Sequence, residues 1–235
     1  MMGKVATRKE WLKARTSLLA AEKEFTHQRD ALSAKRRAMP WVKVDTDYTF
    51  DTPTGPMKLA DLFAGRSQLL VYHFMFAPES EWGCKSCSFW ADQFDGAIPH
   101  LNARDASFVA ISRAPLDKLQ RHANRLGWQF PWVSSGGSTF NYDFAVSFEP
   151  DANGEATYNY KKQQVPFKDL QGFSAFVKGD DGAIYHAYST YGRGQDITNG
   201  AYNMLDLMPK GRDEDALPFS MAWVKFSDEY GESKL

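Results

Sequence analysis

Residues 69–94 have the sequence LLVYHFMFAPESEWGCKSCSFWADQF, and this stretch predicts the centre of the fold. Its first eight residues, Leu69 to Phe76, form an apolar run of the kind found in a central strand buried on both faces. Pro78 interrupts the run, and a loop then leads to Cys84 and Cys87. The apolar positions that follow recur at helical spacing, so the cysteines lie where a buried strand passes into a helix.

These two cysteines are the only ones in the chain. A disulfide between them would close a very short loop and remove little entropy from the unfolded chain, so it would hardly stabilise the fold. At the start of a helix the same spacing lowers a thiol pKa and allows reversible dithiol–disulfide exchange. We expect Cys84 to be the catalytic nucleophile and Cys87 the resolving thiol. Lys85 should add a positive charge beside Cys84.

Inert thiols and a zinc site are the alternatives to a redox pair. Inert thiols would be buried and would behave as small apolar side chains. A zinc site would need further ligands, but there is no second Cys-x-x-Cys motif and the five histidines are scattered. His73 lies in the apolar run and fits a core histidine. We expect no metal and no organic cofactor.

Composition argues against several classes of protein. The chain of 235 residues has a formal net charge of −1 and a pI near 6.5, which gives no electrostatic reason to expect nucleic acid or an anionic membrane as a partner. No run approaches the ~18 apolar residues of a membrane span, and the first eight residues lack the apolar region of a secretory signal. Two cysteines without an export signal predict a cytoplasmic protein.

Beyond residue 41 the predicted order is a strand, the helix that begins at the cysteines, a second strand, a second helix, a β-hairpin and a last helix. This order predicts an α/β protein of thioredoxin-like fold, with a central mixed sheet flanked by helices and an additional N-terminal β-hairpin. The segments that carry it are a hairpin at 48–59, strands at 69–76 and 106–112, a helix from Pro115 to Gly127, a hairpin over 173–188, a helix at 196–207 and a short strand at 221–226.

The first forty residues differ from the rest, with ten basic and four acidic side chains. Thr7 to Glu10 forms a capping box and Pro40 ends the segment, which predicts one long amphipathic helix over 1–40, separate from a thioredoxin-like domain over 41–235. An apolar stripe recurs every seven residues, and we call it the N-terminal seam: Trp11, Leu18, Phe25 and Leu32. We expect the seam to pack on the body of the protein or on a second subunit in a homodimer.

The chain also resembles a bacterial family, domain-of-unknown-function family 899, whose members are described as predicted dithiol–disulfide oxidoreductases of the thioredoxin-like superfamily. The resemblance covers nearly the whole chain. It rests on segments at 71–78, 83–92, 100–105, 130–135, 188–194 and 207–213. It implies a redox-active Cys84–Cys87 pair, a disulfide-containing small molecule or protein as substrate, and a thiol electron donor of unknown identity.

The sequence departs from ordinary thioredoxins at three points. Lys85-Ser86 replaces Gly-Pro between the cysteines, and Gly83 separates Trp82 from Cys84. Ser174 falls where thioredoxins have a cis-proline before the hairpin strand. We therefore expect Ser174 to face the cysteine pair, and Trp82, Lys85 and Ser174 to line the substrate cleft, which favours a small or specialised disulfide over general protein reduction.

Two alternative functions are consistent with the same residues. A peroxiredoxin-like thiol peroxidase would use Cys84 as its peroxidatic cysteine, with Pro78 and Ser80 placed shortly before it. A non-catalytic binding protein of the same fold would use the long helix and the aromatic residues of 128–170 to contact a partner. Thiol reactivity towards a disulfide and towards peroxide distinguishes the three.

Overall fold

Six α-helices and ten β-strands follow one another along residues 3–231, the part of the chain that the computed structural model describes. In chain order they are α1 (Arg8–Arg37), β1 (Val42–Lys43), β2 (Thr49–Thr52), β3 (Gly55–Lys58), β4 (Gln68–His73), α2 (Lys85–Ala91), α3 (Phe94–Asn102), β5 (Ala106–Ser112), α4 (Leu116–Leu126), β6 (Trp132–Ser134), α5 (Phe140–Asp143), β7 (Glu155–Tyr158), β8 (Lys161–Gln164), β9 (Gly172–Lys178), β10 (Ile184–Tyr191) and α6 (Gly200–Leu205). Short 3-10 helices cover Asp61–Phe63, Gly192–Thr198 and Ser227–Glu229.

Eight strands form one mixed sheet in the order β1-β10-β9-β4-β5-β6-β2-β3, while β7 and β8 pair separately. β4 lies between parallel β5 and antiparallel β9, and β10 is antiparallel to β9. Helices α2 and α3 connect β4 to β5, and α4 precedes β6. The predicted thioredoxin-like fold, with its N-terminal hairpin β2–β3, is therefore confirmed.

Alternation along β4 divides the core into two layers, because successive strand residues point to opposite faces. Tyr72 packs in the layer that contains Cys87 and Trp90, which we call the cysteine layer. Val71 packs in the opposite layer, with Phe140. The face that each strand residue occupies thus decides whether its side chain can reach the cysteines.

Helix α1 begins with the predicted capping box, in which Thr7 Oγ1 accepts from the Glu10 N–H and the Glu10 carboxylate accepts from the Thr7 N–H. None of its residues is buried, and Trp11, Leu18 and Phe25 are 48%, 55% and 65% exposed. The expectation that the N-terminal seam packs on the protein's own body is therefore wrong, and packing on a second subunit stays a prediction. No helix within residues 3–231 has the length and apolar character that a bilayer crossing needs.

The C-terminal segment differs from the sequence-based expectation. The predicted helix at 196–207 is a 3-10 helix followed by the short α6. In place of the predicted strand at 221–226, residues 221–223 form a turn and residues 224–226 have no regular secondary structure. The carboxylate of Glu214 fixes this turn, because it accepts from Trp223 Nε1 at 2.6 Å, from the Met221 N–H at 3.0 Å and from the Tyr202 hydroxyl at 2.7 Å.

Candidate functional site

Cys84 is the N-cap residue of α2, at the end of the loop that follows β4. Its N–H donates to the Met75 carbonyl at 3.1 Å, which ties the loop back to the end of the strand. Its carbonyl accepts from the Ser88 N–H at 2.9 Å, the first hydrogen bond of the helix. The Cys84 side chain therefore lies beside unpaired N–H groups of the first helical turn, where a thiolate is stabilised.

The residue before Cys84 has to be glycine in this packing. A Cβ atom on Gly83 would lie 2.6 Å from Phe74 Cε1 and 3.3 Å from His122 Cε1. The Gly83 N–H donates to His122 Nδ1 at 3.4 Å, and His122 Nε2 lies 3.2 Å from Ser88 Oγ. Since the Ser88 hydroxyl donates to the Cys84 carbonyl, Nε2 is the donor to Ser88. Burial lowers the pKa of His122 to about 4, so this neutral form persists at physiological pH.

The two thiols differ in exposure and acidity. Cys84 is partly exposed, Cys87 is fully buried, and both are free. Hydrogen bonding from Cys87, helped by backbone N–H groups and by the Ser86 hydroxyl, lowers the pKa of Cys84 to about 7 against the opposing effect of burial. Burial raises the pKa of Cys87 well above its usual value, and the neighbouring Cys84 raises it further. Near neutral pH the Cys84 thiol is thus about half ionised, while the Cys87 thiol stays protonated.

Gln171 is a site residue that sequence reasoning missed. Gln171 Oε1 lies 3.5 Å from the Cys87 sulfur and accepts a hydrogen bond from the Tyr72 hydroxyl at 3.1 Å. Gln171 directly precedes β9, on the side of the sheet that carries the cysteine layer. The only signal in the sequence is its position immediately before Gly172, where the hairpin strand begins.

The prediction that Ser174 faces the cysteine pair is wrong. Ser174 lies on β9 directly opposite Val71, and both side chains point away from the cysteine layer. Its buried hydroxyl hydrogen-bonds to His73 Nε2 and to Ser189 Oγ, each at 2.7 Å. Phe173, the neighbour of Ser174 on β9, packs in the cysteine layer, and Gln171 is on the same side of the chain as Phe173. The position beside the cysteines therefore belongs to Gln171.

The Lys85 ammonium is bound by the C-terminal segment. It donates to the Glu229 carboxylate at 2.8 Å and lies 5.1 Å from the centre of the Phe226 ring. The main effects that lower the pKa of Cys84 are hydrogen bonds from Cys87 and Ser86. A positive charge of Lys85 beside Cys84 stays a prediction. The side chain is absent from the lining of the cleft that contains Cys84, where the sequence placed it, and it attaches the C-terminal segment to α2.

Cys84 opens into a cleft of about 660 Å³. Its walls come from the loop before the cysteines, from the segment before β9 and from residues 219–221. Trp82 lies in the first wall, and the guanidinium groups of Arg121 and Arg125 each lie 4.8 Å from the centre of its ring. A cleft of this size accommodates a small molecule. Within the described residues, no three His, Cys, Asp or Glu side chains converge as metal ligands would.

The fold and the Cys-x-x-Cys helix define a thioredoxin-like protein, and a family comparison makes the assignment more specific. Residues 2–230 match the family described as "Bacterial protein of unknown function (DUF899)", and the chain belongs to that family. No curated protein matches the chain. The family description assigns no activity, so the function has to be argued from the site.

Several solved structures resemble this chain. Peroxidoxin BcpB from Mycobacterium tuberculosis is 17% identical, with 69% of this chain and 94% of that chain covered and a TM-score of 0.45. A variant of peroxiredoxin Q from Xanthomonas campestris is 13% identical, with 71% and 98% covered and a TM-score of 0.47. A variant of peroxiredoxin 6 of Arenicola marina is 13% identical, with 73% and 76% covered and a TM-score of 0.44. Likeness at this level assigns no activity to this chain.

Proposed function

We propose that this protein is a thiol–disulfide oxidoreductase that alternates between a Cys84–Cys87 dithiol and a Cys84–Cys87 disulfide. The observation that supports this most directly is the contrast between the thiols. Cys84 is partly exposed with its pKa lowered to about 7, and Cys87 is buried in the first turn of the same helix with its pKa raised. Dithiol–disulfide exchange requires an accessible thiolate that attacks the substrate and a neighbouring thiol that stays protonated until the second step.

The reaction begins when the Cys84 thiolate attacks one sulfur of a substrate disulfide. The substrate S–S bond breaks, one thiolate leaves, and a mixed disulfide forms on Cys84. Cys87 then passes its proton to the first substrate thiolate and attacks the Cys84 sulfur, which expels the second substrate thiolate. The substrate gains two electrons, and an external thiol donor must reduce the resulting Cys84–Cys87 disulfide. Gln171 Oε1, which lies 3.5 Å from the Cys87 sulfur, helps to position that sulfur for the second step.

A trapping experiment tests this proposal. The Cys87→Ser variant lacks the resolving thiol, so it should accumulate a mixed disulfide when mixed with a pyridyl disulfide or with cell extract. Cys84→Ser is the matched control, because it keeps one thiol but loses the accessible one, and it should give no adduct. Failure of Cys87→Ser to form any adduct would overturn the proposal.

Hydrogen peroxide separates this activity from the alternative of a thiol peroxidase. A peroxidase would convert Cys84 of the Cys87→Ser variant to a sulfenic acid faster than a disulfide captures it. Arg113 is not free to stabilise a bound peroxide, because it donates to the Asp169 carboxylate at 2.8 and 3.0 Å. We expect capture by the disulfide to be faster. No reaction with either reagent would favour a non-catalytic binding protein.

A further inference from the structure

The cleft beside Cys84 has mainly apolar walls. Their apolar side chains are Met75, Trp82, Phe167, Leu170, Phe219 and Met221. Phe167 and Phe219 are 62% and 67% exposed. Two large exposed rings at the rim of a cleft that ends at a reactive thiol form a surface that an apolar ligand would cover.

The charged groups of the cleft already face opposite charges. Asp169 accepts two hydrogen bonds from the Arg113 guanidinium, and Lys168 Nζ lies 3.9 Å from the Glu79 carboxylate. Lys118 and Arg121 donate to backbone carbonyls of the loop that forms the first wall. A substrate that carries carboxylates, such as glutathione disulfide, would have to draw one of these cations from its present partner or leave its own charges unpaired. Charge complementarity therefore favours a neutral substrate.

The backbone carbonyl of Gln171, beside the cysteines, is not free to accept a hydrogen bond from an extended peptide. The Gln171 carbonyl accepts from the Tyr158 hydroxyl at 2.8 Å and from Gln195 Nε2 at 3.3 Å. An extended peptide that adds to a strand edge relies on free backbone groups of this kind. The site is thus better suited to a small molecule than to a protein disulfide.

We propose that the substrate is a small, uncharged disulfide with apolar groups on its sulfurs, an inference that rests on the thiol–disulfide exchange proposed above. Cys84 forms a bond to the nearer sulfur while the substrate S–S bond breaks, and the apolar substituents lie against Phe167 and Phe219. Cys87 then passes its proton to the first released sulfur and attacks the Cys84 sulfur, which releases the second substrate sulfur as a thiolate. The substrate gains two electrons, and the cysteine pair loses two as its disulfide forms.

Lipoamide and lipoate test the inference, because they share one disulfide ring and differ in charge. The rate constant for oxidation of the reduced full chain is measured in a single turnover with each, and with glutathione disulfide for comparison. We expect lipoamide to react about tenfold faster than lipoate, since the carboxylate must be desolvated without a free partner. Rates within about twofold, or faster reaction of either anionic disulfide, would overturn the inference.

A charge variant adds a second readout. Phe219→Lys places a cation on the rim, so it should lower the lipoamide-to-lipoate ratio towards one. Met204→Lys is the matched control, because Met204 is similarly exposed (66%) and lies outside the cleft lining. An unchanged lipoamide-to-lipoate ratio in Phe219→Lys would contradict the assignment of this cleft as the substrate site. If a pyridyl disulfide reacts and lipoamide does not, only this inference fails; if no disulfide reacts, the proposed function fails as well.

Discussion

Replacing Cys87 by alanine should raise the pKa of Cys84, because hydrogen bonding from Cys87 is the largest effect that lowers it from 9.0 to about 7. A thiol with a pKa of about 7 is about half ionised at neutral pH, and one at its ordinary value is only about one per cent ionised. Ser86 and the backbone N–H groups still donate in the variant. We therefore expect the pKa of Cys84 in the Cys87→Ala variant to be about one unit higher than in the unchanged chain, which is about half of the total lowering.

The assay is the pH dependence of alkylation of Cys84 by iodoacetamide. Its midpoint is the useful readout, since a more basic thiolate is also more nucleophilic and partly offsets the smaller ionised fraction at any single pH. Cys87→Ser is the matched control: it keeps a hydroxyl donor of similar size, so its midpoint should stay near that of the unchanged chain. A Cys87→Ala midpoint equal to that of the unchanged chain would refute the reasoning.

Three further predictions concern stability and assembly. Gly83→Ala should reduce the free energy of unfolding by about 2 kcal/mol, because the new Cβ would lie 2.6 Å from the buried Phe74 ring. Gly96→Ala on α3 is the control, because its Cβ meets open space and should not reduce the free energy of unfolding. Equal losses in urea titrations of the two variants would contradict this prediction. His122 stays neutral in the folded protein down to about pH 4, whereas it becomes protonated in the unfolded chain near pH 6.5. The free energy of unfolding should therefore fall as the pH drops from 6.5 to 4, and it should fall less steeply in His122→Gln. Parallel plots of stability against pH for the two proteins would refute this prediction. Serine at three positions of the N-terminal seam should convert a dimer to a monomer by light scattering, and a monomeric unchanged chain would exclude the proposed pairing.

Local signals account for the parts of the fold that the sequence predicts well. The strand at 106–112 is found at the predicted residues because its apolar run is long and bounded by polar turns. Helix α4 lies between Pro115 and Gly127, whose φ of 74° is the left-handed conformation that ends a helix. The placement of Cys84 at the start of α2 follows in the same way from the strand, loop and helix pattern around it.

The errors come from interactions between distant parts of the chain. The register that pairs Gly172 with His73 decides that Gln171, and not Ser174, lies beside the cysteines, and these partners are far apart in the sequence. The turn at 221–223 depends on the Glu214 carboxylate, which a local pattern does not reveal. The apolar seam of α1 predicts a partner surface but does not identify it.

The most direct test of the proposed redox pair is a titration of the full chain in glutathione or dithiothreitol buffers, read by alkylation of the remaining thiols and by intact mass. Dithiol–disulfide exchange predicts one two-electron transition in which Cys84 and Cys87 become protected together and the mass falls by two hydrogens. Oxidation of Cys84 alone, with Cys87 still alkylated as a free thiol at every potential, would contradict it.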